Sequence, residues 1–147
     1  KVISLKPITL NNINDFKGTS YDKMSFEQKL GMIQQSIKKT YNNFYFEFLT
    51  VYKNDTIIGF MSLYAHSKHI ISCAPEIKEE FKNKGFGFSA ETSALKYAKE
   101  KGYTIAFASV EDNNKASIAL HEKLGFEMAK QYSNKKGKTM RFYIKAL

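Results

Sequence analysis

The chain has 147 residues, of which 43% are hydrophobic and 14% aromatic. This composition indicates one folded domain over residues 1–147 and excludes intrinsic disorder. Its apolar runs are only a few residues long, whereas a membrane-spanning helix needs roughly 18. The single cysteine, Cys73, excludes a disulfide framework, and the three histidines show no metal-ligand spacing. We therefore expect a cytoplasmic protein with no metal and no membrane partner.

The chain is strongly basic, because 23 Lys and Arg residues oppose 14 Asp and Glu residues and give a formal net charge of +9. Such an excess is typical of proteins that bind nucleic acids or other polyanions. However, Arg141 is the only arginine, and arginine is the side chain that makes bidentate contacts to guanine and phosphate. Nucleic-acid binding is therefore less favoured than a lysine excess that only reflects an AT-rich coding sequence, and a phosphate-rich small ligand is compatible with either interpretation.

The first half of the chain predicts a strand, a helix and a meander. Residues 2–10 alternate apolar and polar side chains and predict a strand, whereas residues 11–24 are polar and hold at most one short helix. Ser25 and Gln28 form a capping-box pattern, which predicts a helix from there to about Lys39. Three antiparallel strands joined by tight turns are predicted next, over residues 44–53, 56–65 and 69–77.

The second half alternates helices and strands. A helix is predicted over residues 88–102, with Phe88, Leu95 and Ala98 on its buried side and Glu91 among its outward residues. A strand, a helix and a closing hairpin are predicted after it, over residues 103–110, 115–124, 126–132 and 139–147. This order of elements indicates a mixed α+β fold.

The segment of residues 77–87 runs from the end of a strand to the start of a helix and carries Gly85 and Gly87. A helix N-terminus exposes N–H groups without partners and binds phosphate where no side chain blocks the approach. Lys82 and Lys84 add positive charge beside it. The pattern predicts a pyrophosphate cradle, and the alternative is a glycine-rich turn that only starts a helix.

Two other phosphate-binding loops fit this segment poorly. A Rossmann fingerprint needs an apolar strand that runs directly into the first glycine and an acidic residue about 20 residues later. Here the approach to Gly85 is charged, and residues 103–110 contain no acid. The P-loop pattern G-x-x-x-x-G-K-[ST] is absent from the chain.

Two blocks of the sequence resemble the GNAT superfamily of acetyl-coenzyme A-dependent N-acetyltransferases. The block Lys82-Asn83-Lys84-Gly85-Phe86-Gly87 is similar to the family motif of Arg or Gln, two residues, Gly, one residue, and Gly or Ala. The block from Asn114 to Phe126 is similar to the family pattern N-x-x-[AS]-x-x-x-Y-x-x-x-G-F. Both blocks lie on the expected elements, and the resemblance covers the chain closely from about residue 44 to its end.

The resemblance implies a GNAT-like twisted mixed sheet, antiparallel over its first four strands, splayed between the fourth and the fifth, and flanked by about four helices. It also implies that a primary amine directly attacks acetyl-coenzyme A, the co-substrate, in a ternary complex. Main-chain groups of Pro75, Glu76 and Ile77 would bind the pantetheine arm, and Asn114 would anchor that arm and the last helix. Main-chain amides would bind the pyrophosphate, at Lys82, Asn83, Lys84, Gly85, Phe86 and Gly87.

His121 is the most consequential departure from the family pattern, because many members carry a tyrosine there that is taken to protonate the departing thiolate. Imidazole titrates near neutral pH, so His121 is our candidate general acid. The alternative is a histidine on the helix surface, with water as the proton donor. Ser109 stands where some members carry a glutamate base, and the nearby Glu76 and Glu111 are expected to be solvated surface groups. The general base is therefore unassigned.

The sequence does not identify the acceptor amine, and it is compatible with a monomer or a homodimer. A non-catalytic coenzyme A-binding regulatory module is the main alternative to an N-acetyltransferase, since both the family tyrosine and the glutamate base are missing.

Overall fold

The computed structural model describes residues 3–147, so Val2 of the predicted first strand lies outside the described part. Its helices are α1 (Phe26–Lys38), α2 (Phe86–Glu100) and α3 (Lys115–Lys123). Its strands are β1 (Ile3–Pro7), β2 (Thr40–Tyr41), β3 (Phe44–Lys53), β4 (Thr56–Ala65), β5 (Ile70–Ile77), β6 (Ile105–Glu111), β7 (Glu127–Ser133) and β8 (Thr139–Ala146). Short 3-10 helices lie at Leu10–Asn12, Ser20–Lys23 and Glu79–Phe81.

The strands form one mixed sheet in the order β1-β3-β4-β5-β6-β8-β7, and the two-residue strand β2 pairs with β3. The strands predicted as the first four are β1, β3, β4 and β5, and they are antiparallel as expected. The pair β5–β6 is parallel. The predicted α+β class and mixed sheet are confirmed, whereas the short strand β2 was not predicted.

The predicted splay between the fourth and fifth strands is present between β5 and β6. These strands pair only over Ile70–Ser72 and Ile105–Phe107, and beyond this point they diverge. The main-chain oxygen of His69 accepts bonds from Thr104 and Ile105 next to β6, and the amide of Lys78 donates to Ile58 next to β4. Main-chain groups alternate between the two edges of a strand, so the odd-numbered residues of β5 face β6, as His69 does, and the even-numbered ones face β4, as Lys78 does. Pro75 therefore directs its nitrogen into the gap and costs the sheet no hydrogen bond.

Helices cover both faces of the sheet, and each face has its own apolar cluster. On one face, Ile33 of α1 packs with Ile8, Phe16, Phe48 and Phe60. On the other, α2 and α3 pack over a larger cluster around β3–β6 and β8. Within residues 3–147, the sheet is flanked by three α-helices where about four helices were expected, and residues 10–24 hold two short 3-10 helices.

Local signals explain where several elements begin and end. The Ser25 hydroxyl accepts from the amide of Gln28, and the Gln28 side chain accepts from the amide of Ser25, which confirms the predicted capping box. Asn54 adopts a left-handed φ of 55° in the predicted turn between β3 and β4. No helix within residues 3–147 is long and apolar enough to cross a membrane.

The prediction that Glu91 faces outward is wrong. Glu91 is 0% exposed in the interior face of α2, which begins at Phe86 rather than at residue 88. The physical reason is helical spacing: Glu91 stands three residues after Phe88 and four before Leu95, so it lies in the same stripe as the apolar side chains.

Candidate active site

A cavity of about 770 Å³ opens where β5 and β6 diverge. Its walls come from these two strands, from the segment before α2, and from the first turns of α2 and α3. Ten of the predicted site residues line it, and Lys84 is the one that does not. The far end of the cavity reaches Tyr64, His66 and Phe107, which the sequence did not single out.

The start of α2 forms the cradle end of this cavity. Gly85, the N-cap, has a φ of 82°, and Asn83 is also left-handed with a φ of 63°. Gly85 has no side chain to cap the helix, and the amide of Ser89 makes a main-chain bond to its oxygen at 3.2 Å. The preceding amides of the first turn, including those of Phe86 and Gly87, therefore have no partner inside the helix and are available to a ligand.

The lysines around the cradle differ from the expected set. The amide of Lys82 donates to the oxygen of Glu79 at 3.3 Å, so it is not free for a ligand, and its Nζ lies 3.2 Å from the Glu79 carboxylate. Two other lysines approach the first turn of α2 from distant segments. Lys53 Nζ lies 5.4 Å from the ring centroid of Phe86, and Lys123 Nζ lies 4.4 Å from that of Phe88. Sequence spacing gave no signal for either of them.

The open edge of β5 faces the gap. By the alternation described above, the main-chain groups of Cys73, Pro75 and Ile77 point into it, whereas Glu76 is paired with Phe60 of β4. Both carboxylate oxygens of Glu76 accept hydrogen bonds from the amide and hydroxyl of Ser20. The expectation of a solvated Glu76 with a free main chain is therefore corrected: its main chain faces β4, and its side chain anchors a loop.

The remaining predicted positions have clear local roles. The Asn114 side chain accepts from the amide of Ser117 at 3.1 Å, so it is the N-cap of α3 as well as a wall of the cavity. Glu111 lies 3.4 Å from Lys138 Nζ, and Ser109 is exposed on the cavity wall. Cys73 is buried, and burial followed by the Glu91 carboxylate raises the pKa of its thiol well above the usual range. It is therefore a protonated wall residue rather than a nucleophile.

His121 is buried at 5% exposure rather than placed on the helix surface, and it packs edge-on against Phe126. Its Nδ1 lies 2.8 Å from the main-chain oxygen of Ser117 and 3.3 Å from the Ser117 hydroxyl. Its Nε2 lies 3.4 Å from Oε2 of Glu91. Burial lowers the pKa of His121, but the Glu91 carboxylate and the Ser117 carbonyl outweigh this and raise it above its ordinary value. Sequence analysis did not identify Glu91 as a site residue, although a carboxylate within the apolar stripe of a helix was a sign of it.

The described side chains offer no metal centre, because within residues 3–147 no group of three or more His, Cys, Asp and Glu residues is placed to hold an ion.

Comparison with known proteins agrees with this geometry. The model of the acetyltransferase (GNAT) family matches residues 13–126. Over 73 residues, or 50% of this chain, the sequence is 30% identical to an L-methionine sulfoximine/L-methionine sulfone acetyltransferase of Pseudomonas aeruginosa, and the match covers only 38% of that relative.

Solved structures show the same fold at low sequence identity. An N-acetyltransferase from Staphylococcus aureus Mu50 superposes with a TM-score of 0.80 and 16% identity over 99% of each chain. An acetyltransferase from Salmonella typhimurium, determined with its cofactor acetyl-CoA, superposes with a TM-score of 0.78 and 14% identity over 100% of this chain and 95% of that one. Since the family model spans most of the sequence, the chain belongs to the GNAT family of acetyltransferases, which use acetyl-CoA.

Proposed function

We propose that this protein transfers the acetyl group of acetyl-CoA to a primary amine, by direct attack of the amine within a ternary complex. The observation that carries this proposal is a single cavity that joins the uncapped start of α2, the gap between β5 and β6, and the opposite face of the sheet. Two substrates can therefore enter from different ends and meet in the gap, without an enzyme nucleophile.

The chain's own groups fit a coenzyme A molecule in extended form. Free amides at Phe86 and Gly87 would bind the pyrophosphate, with Asn83, Lys84 and Gly85 completing the loop. Lys82 contributes its side-chain charge rather than its amide, and Glu76 contributes no main-chain bond. The open edge of β5 at Pro75 and Ile77 would pair with the amides of the pantetheine arm, and Asn114 would close over it from α3.

His121 is the proposed source of the proton that the departing thiolate takes up. A carbonyl oxygen only accepts hydrogen bonds, so the contact with Ser117 places a hydrogen on Nδ1. That hydrogen is also directed at the Ser117 hydroxyl oxygen, which leaves the hydroxyl hydrogen free to donate into the cavity. The proton thus passes from Nδ1 to Ser117 Oγ as the hydroxyl gives its own hydrogen to sulfur. Glu91 is a positioning residue that stabilises the charged imidazole before this transfer.

The acetyl transfer forms one bond to the thioester carbon and breaks another. The amine nitrogen forms a bond to the thioester carbonyl carbon, the carbon–sulfur bond breaks, and its electron pair leaves on sulfur. The proton lost by the nitrogen goes to a base on the acceptor side of the gap. Coenzyme A and an N-acetylated amine are the products.

The test combines binding with turnover. Acetyl-CoA at about 100 times its dissociation constant should add roughly 2.7 kcal/mol to the free energy of unfolding. Free-thiol release should then depend on added amine, across a panel that includes methionine sulfoximine because of the Pseudomonas relative. Binding without thiol release would instead indicate a regulatory coenzyme A-binding module. An unchanged thermal melt, together with salt-sensitive binding to nucleic acid, would overturn the proposal.

A further inference from the structure

The end of the cavity opposite the cradle is a row of aromatic side chains on one face of the sheet. The register pairs Phe46 with Tyr64, Tyr64 with Ser72, and Ser72 with Phe107, so these four residues share a face across β3 to β6. His66 bridges the row, since its ring centroid lies 4.6 Å from those of both Tyr64 and Phe107. Of these residues, Tyr64, His66, Ser72 and Phe107 line the cavity.

We infer that Tyr64, His66, Ser72 and Phe107 form the acceptor subsite, that this subsite takes a single primary amine on an aromatic or apolar carbon skeleton, and that His66 receives the proton of that amine. This inference rests on the proposed acetyl transfer and adds the class of acceptor and the missing base. None of these positions belongs to the two sequence blocks that resemble the family.

The charge of the subsite excludes several other acceptors. Glu76 is the only carboxylate among the described residues that line the cavity, and both of its oxygens are already bound by Ser20. A polyamine would therefore bring several further ammonium groups to a site with a single carboxylate, which Ser20 already holds in place. Among residues 3–147, Lys82 is the only lysine in the lining, and it lies at the cradle end. An amino acid would find no cation for its carboxylate at the aromatic end.

The rings suit an arylalkyl or other apolar amine in two ways. Half-buried aromatic faces gain free energy when an apolar skeleton removes them from water, and stacked or edge-on rings add to this. An ammonium group is also attracted to the face of an aromatic ring before it loses its proton. Tyr64 and Phe107 stand on either side of the point where β5 and β6 begin to diverge. An amine held there is directed at the gap.

His66 has the properties of a base. Burial lowers its pKa below the ordinary value, so the ring is neutral at pH 7. Ser72 Oγ donates to the main-chain oxygen of Tyr64 at 3.3 Å and lies 3.4 Å from His66 Nε2. Whichever nitrogen carries the hydrogen of the neutral ring, the other keeps a lone pair that can take the proton. The ring is contacted by Tyr64, Ser72 and Phe107, none of which is an acidic or a basic residue.

Steady-state kinetics with 2-phenylethylamine, spermidine and methionine test the proposed class of acceptor amine. We expect kcat/KM for 2-phenylethylamine to exceed those for the other two by at least about 10-fold. Phe107→Ala should raise the KM for 2-phenylethylamine by about 10-fold or more and leave the KM for acetyl-CoA unchanged. Phe142→Ala is the matched control, because its ring lies 5.4 Å from that of Phe107 but outside the cavity.

His66→Gln tests the base. We expect kcat to fall roughly 10- to 100-fold with KM retained, and the acid limb of the parent pH profile, below pH 6.5, to disappear with the same amine. A parent-like kcat and profile would overturn the role of His66. Preference for spermidine or methionine, or equal effects of Phe107→Ala and Phe142→Ala, would overturn the aromatic subsite while acetyl transfer still stood. Release of no thiol with any amine would overturn both, and a thermal shift with acetyl-CoA would show that the protein is folded.

Discussion

His121 and Glu91 meet in the interior of the protein, with 3.4 Å between Nε2 of the histidine and Oε2 of the glutamate. Both side chains are buried, and neither carboxylate oxygen of Glu91 has a well-aligned hydrogen-bond donor. A buried carboxylate without a partner costs several kcal/mol, so the charged form of His121 is the group that compensates it. The pair ties α2 to α3 beside the gap where the thioester would lie.

Replacing Glu91 by Gln should lower the pKa of His121 from above its ordinary value to below it. Burial, which lowers that pKa, would then be opposed only by the Ser117 carbonyl. NMR titration of the His121 ring in the two proteins measures the shift directly. Glu100→Gln, at the exposed end of the same helix, is the control and should leave the titration of His121 unchanged. An unchanged titration in Glu91→Gln would show that the contact carries no charge.

The same substitution should change how stability depends on pH. In the parent, the folded-state pKa of His121 is raised, so its contribution is fully present below about pH 6.5 and is lost as pH rises through the folded pKa. In Glu91→Gln the folded pKa is lowered, so the histidine opposes folding as pH falls below 6.5. Free energies of unfolding from urea titrations at a series of pH values would show the two opposite slopes.

Removal of the proposed proton source, His121, should lower kcat more than it weakens cofactor binding. For His121→Phe we expect kcat to fall roughly 10- to 1000-fold, with the lower part of this range favoured because water can also protonate a thiolate. Ser117→Ala removes the proposed relay but keeps the main-chain amide that Asn114 caps, so its kcat should fall with little loss of stability. If Ser117→Ala turns over at the parent rate, the proton reaches sulfur by another route.

The sequence predicted most of the fold, because the relevant signals are local. Turn signals gave the limits of β3 and β4, and the capping box at Ser25 gave the start of α1. The glycines before α2 predicted the cradle, and the resemblance to the family supplied the splay; the structure joins the two in one cavity. Local reasoning failed for Glu91, whose charge was read as a sign of exposure although its spacing placed it among buried residues.

The aromatic end of the cavity could not be predicted from the sequence. Tyr64, Ser72 and Phe107 are neighbours only through the pairing of β4, β5 and β6, and a parallel pair such as β5–β6 leaves no local trace of its register. Lys53 and Lys123 approach the rings of Phe86 and Phe88 from the ends of β3 and α3 for the same reason. Long-range register, rather than composition, decides which side chains meet.

Gly59→Ala should be strongly destabilising, although alanine is a small residue. A Cβ at Gly59 would lie 2.4 Å from the main-chain oxygen of Glu76 and 2.9 Å from Cα of Ile77, so β4 or β5 must shift. We expect a loss of about 2 kcal/mol or more in the free energy of unfolding and weaker acetyl-CoA binding, since Glu76 and Ile77 also line the cavity. Gly31→Ala is the control: nothing lies within 4 Å of its Cβ, and it should stabilise α1 by about 0.5–1 kcal/mol. Equal effects in urea titrations would contradict the close approach of the two strands.

Gly85→Ala tests whether the left-handed N-cap of α2 matters to the cofactor. Gly85 has a φ of 82° with open space around it, so alanine would introduce backbone strain of roughly 1–2 kcal/mol without a clash. Relief of that strain would turn the amides of the first turn away from the ligand, and we expect a lower melting temperature together with weaker acetyl-CoA binding. Gly87→Ala should keep the parent stability, because its φ is helical and its Cβ would lie an ordinary 3.9 Å from Ile77. Isothermal titration and thermal melts of both variants check this difference.

The relative weight of main chain and lysine in the cradle is tested by Gly87→Val and Lys82→Ala. Valine at Gly87 would place a branched side chain beside the free amides, so acetyl-CoA binding should weaken by at least about 10-fold through blocked approach. Lys82→Ala removes an exposed charge that is already paired with Glu79, an interaction of about 1 kcal/mol or less, so binding should weaken no more than a few-fold. The salt dependence of binding should also decrease slightly in Lys82→Ala and stay as in the parent for Gly87→Val. A larger loss of affinity in Lys82→Ala than in Gly87→Val would show that side-chain charge, and not the free amides of α2, holds the pyrophosphate.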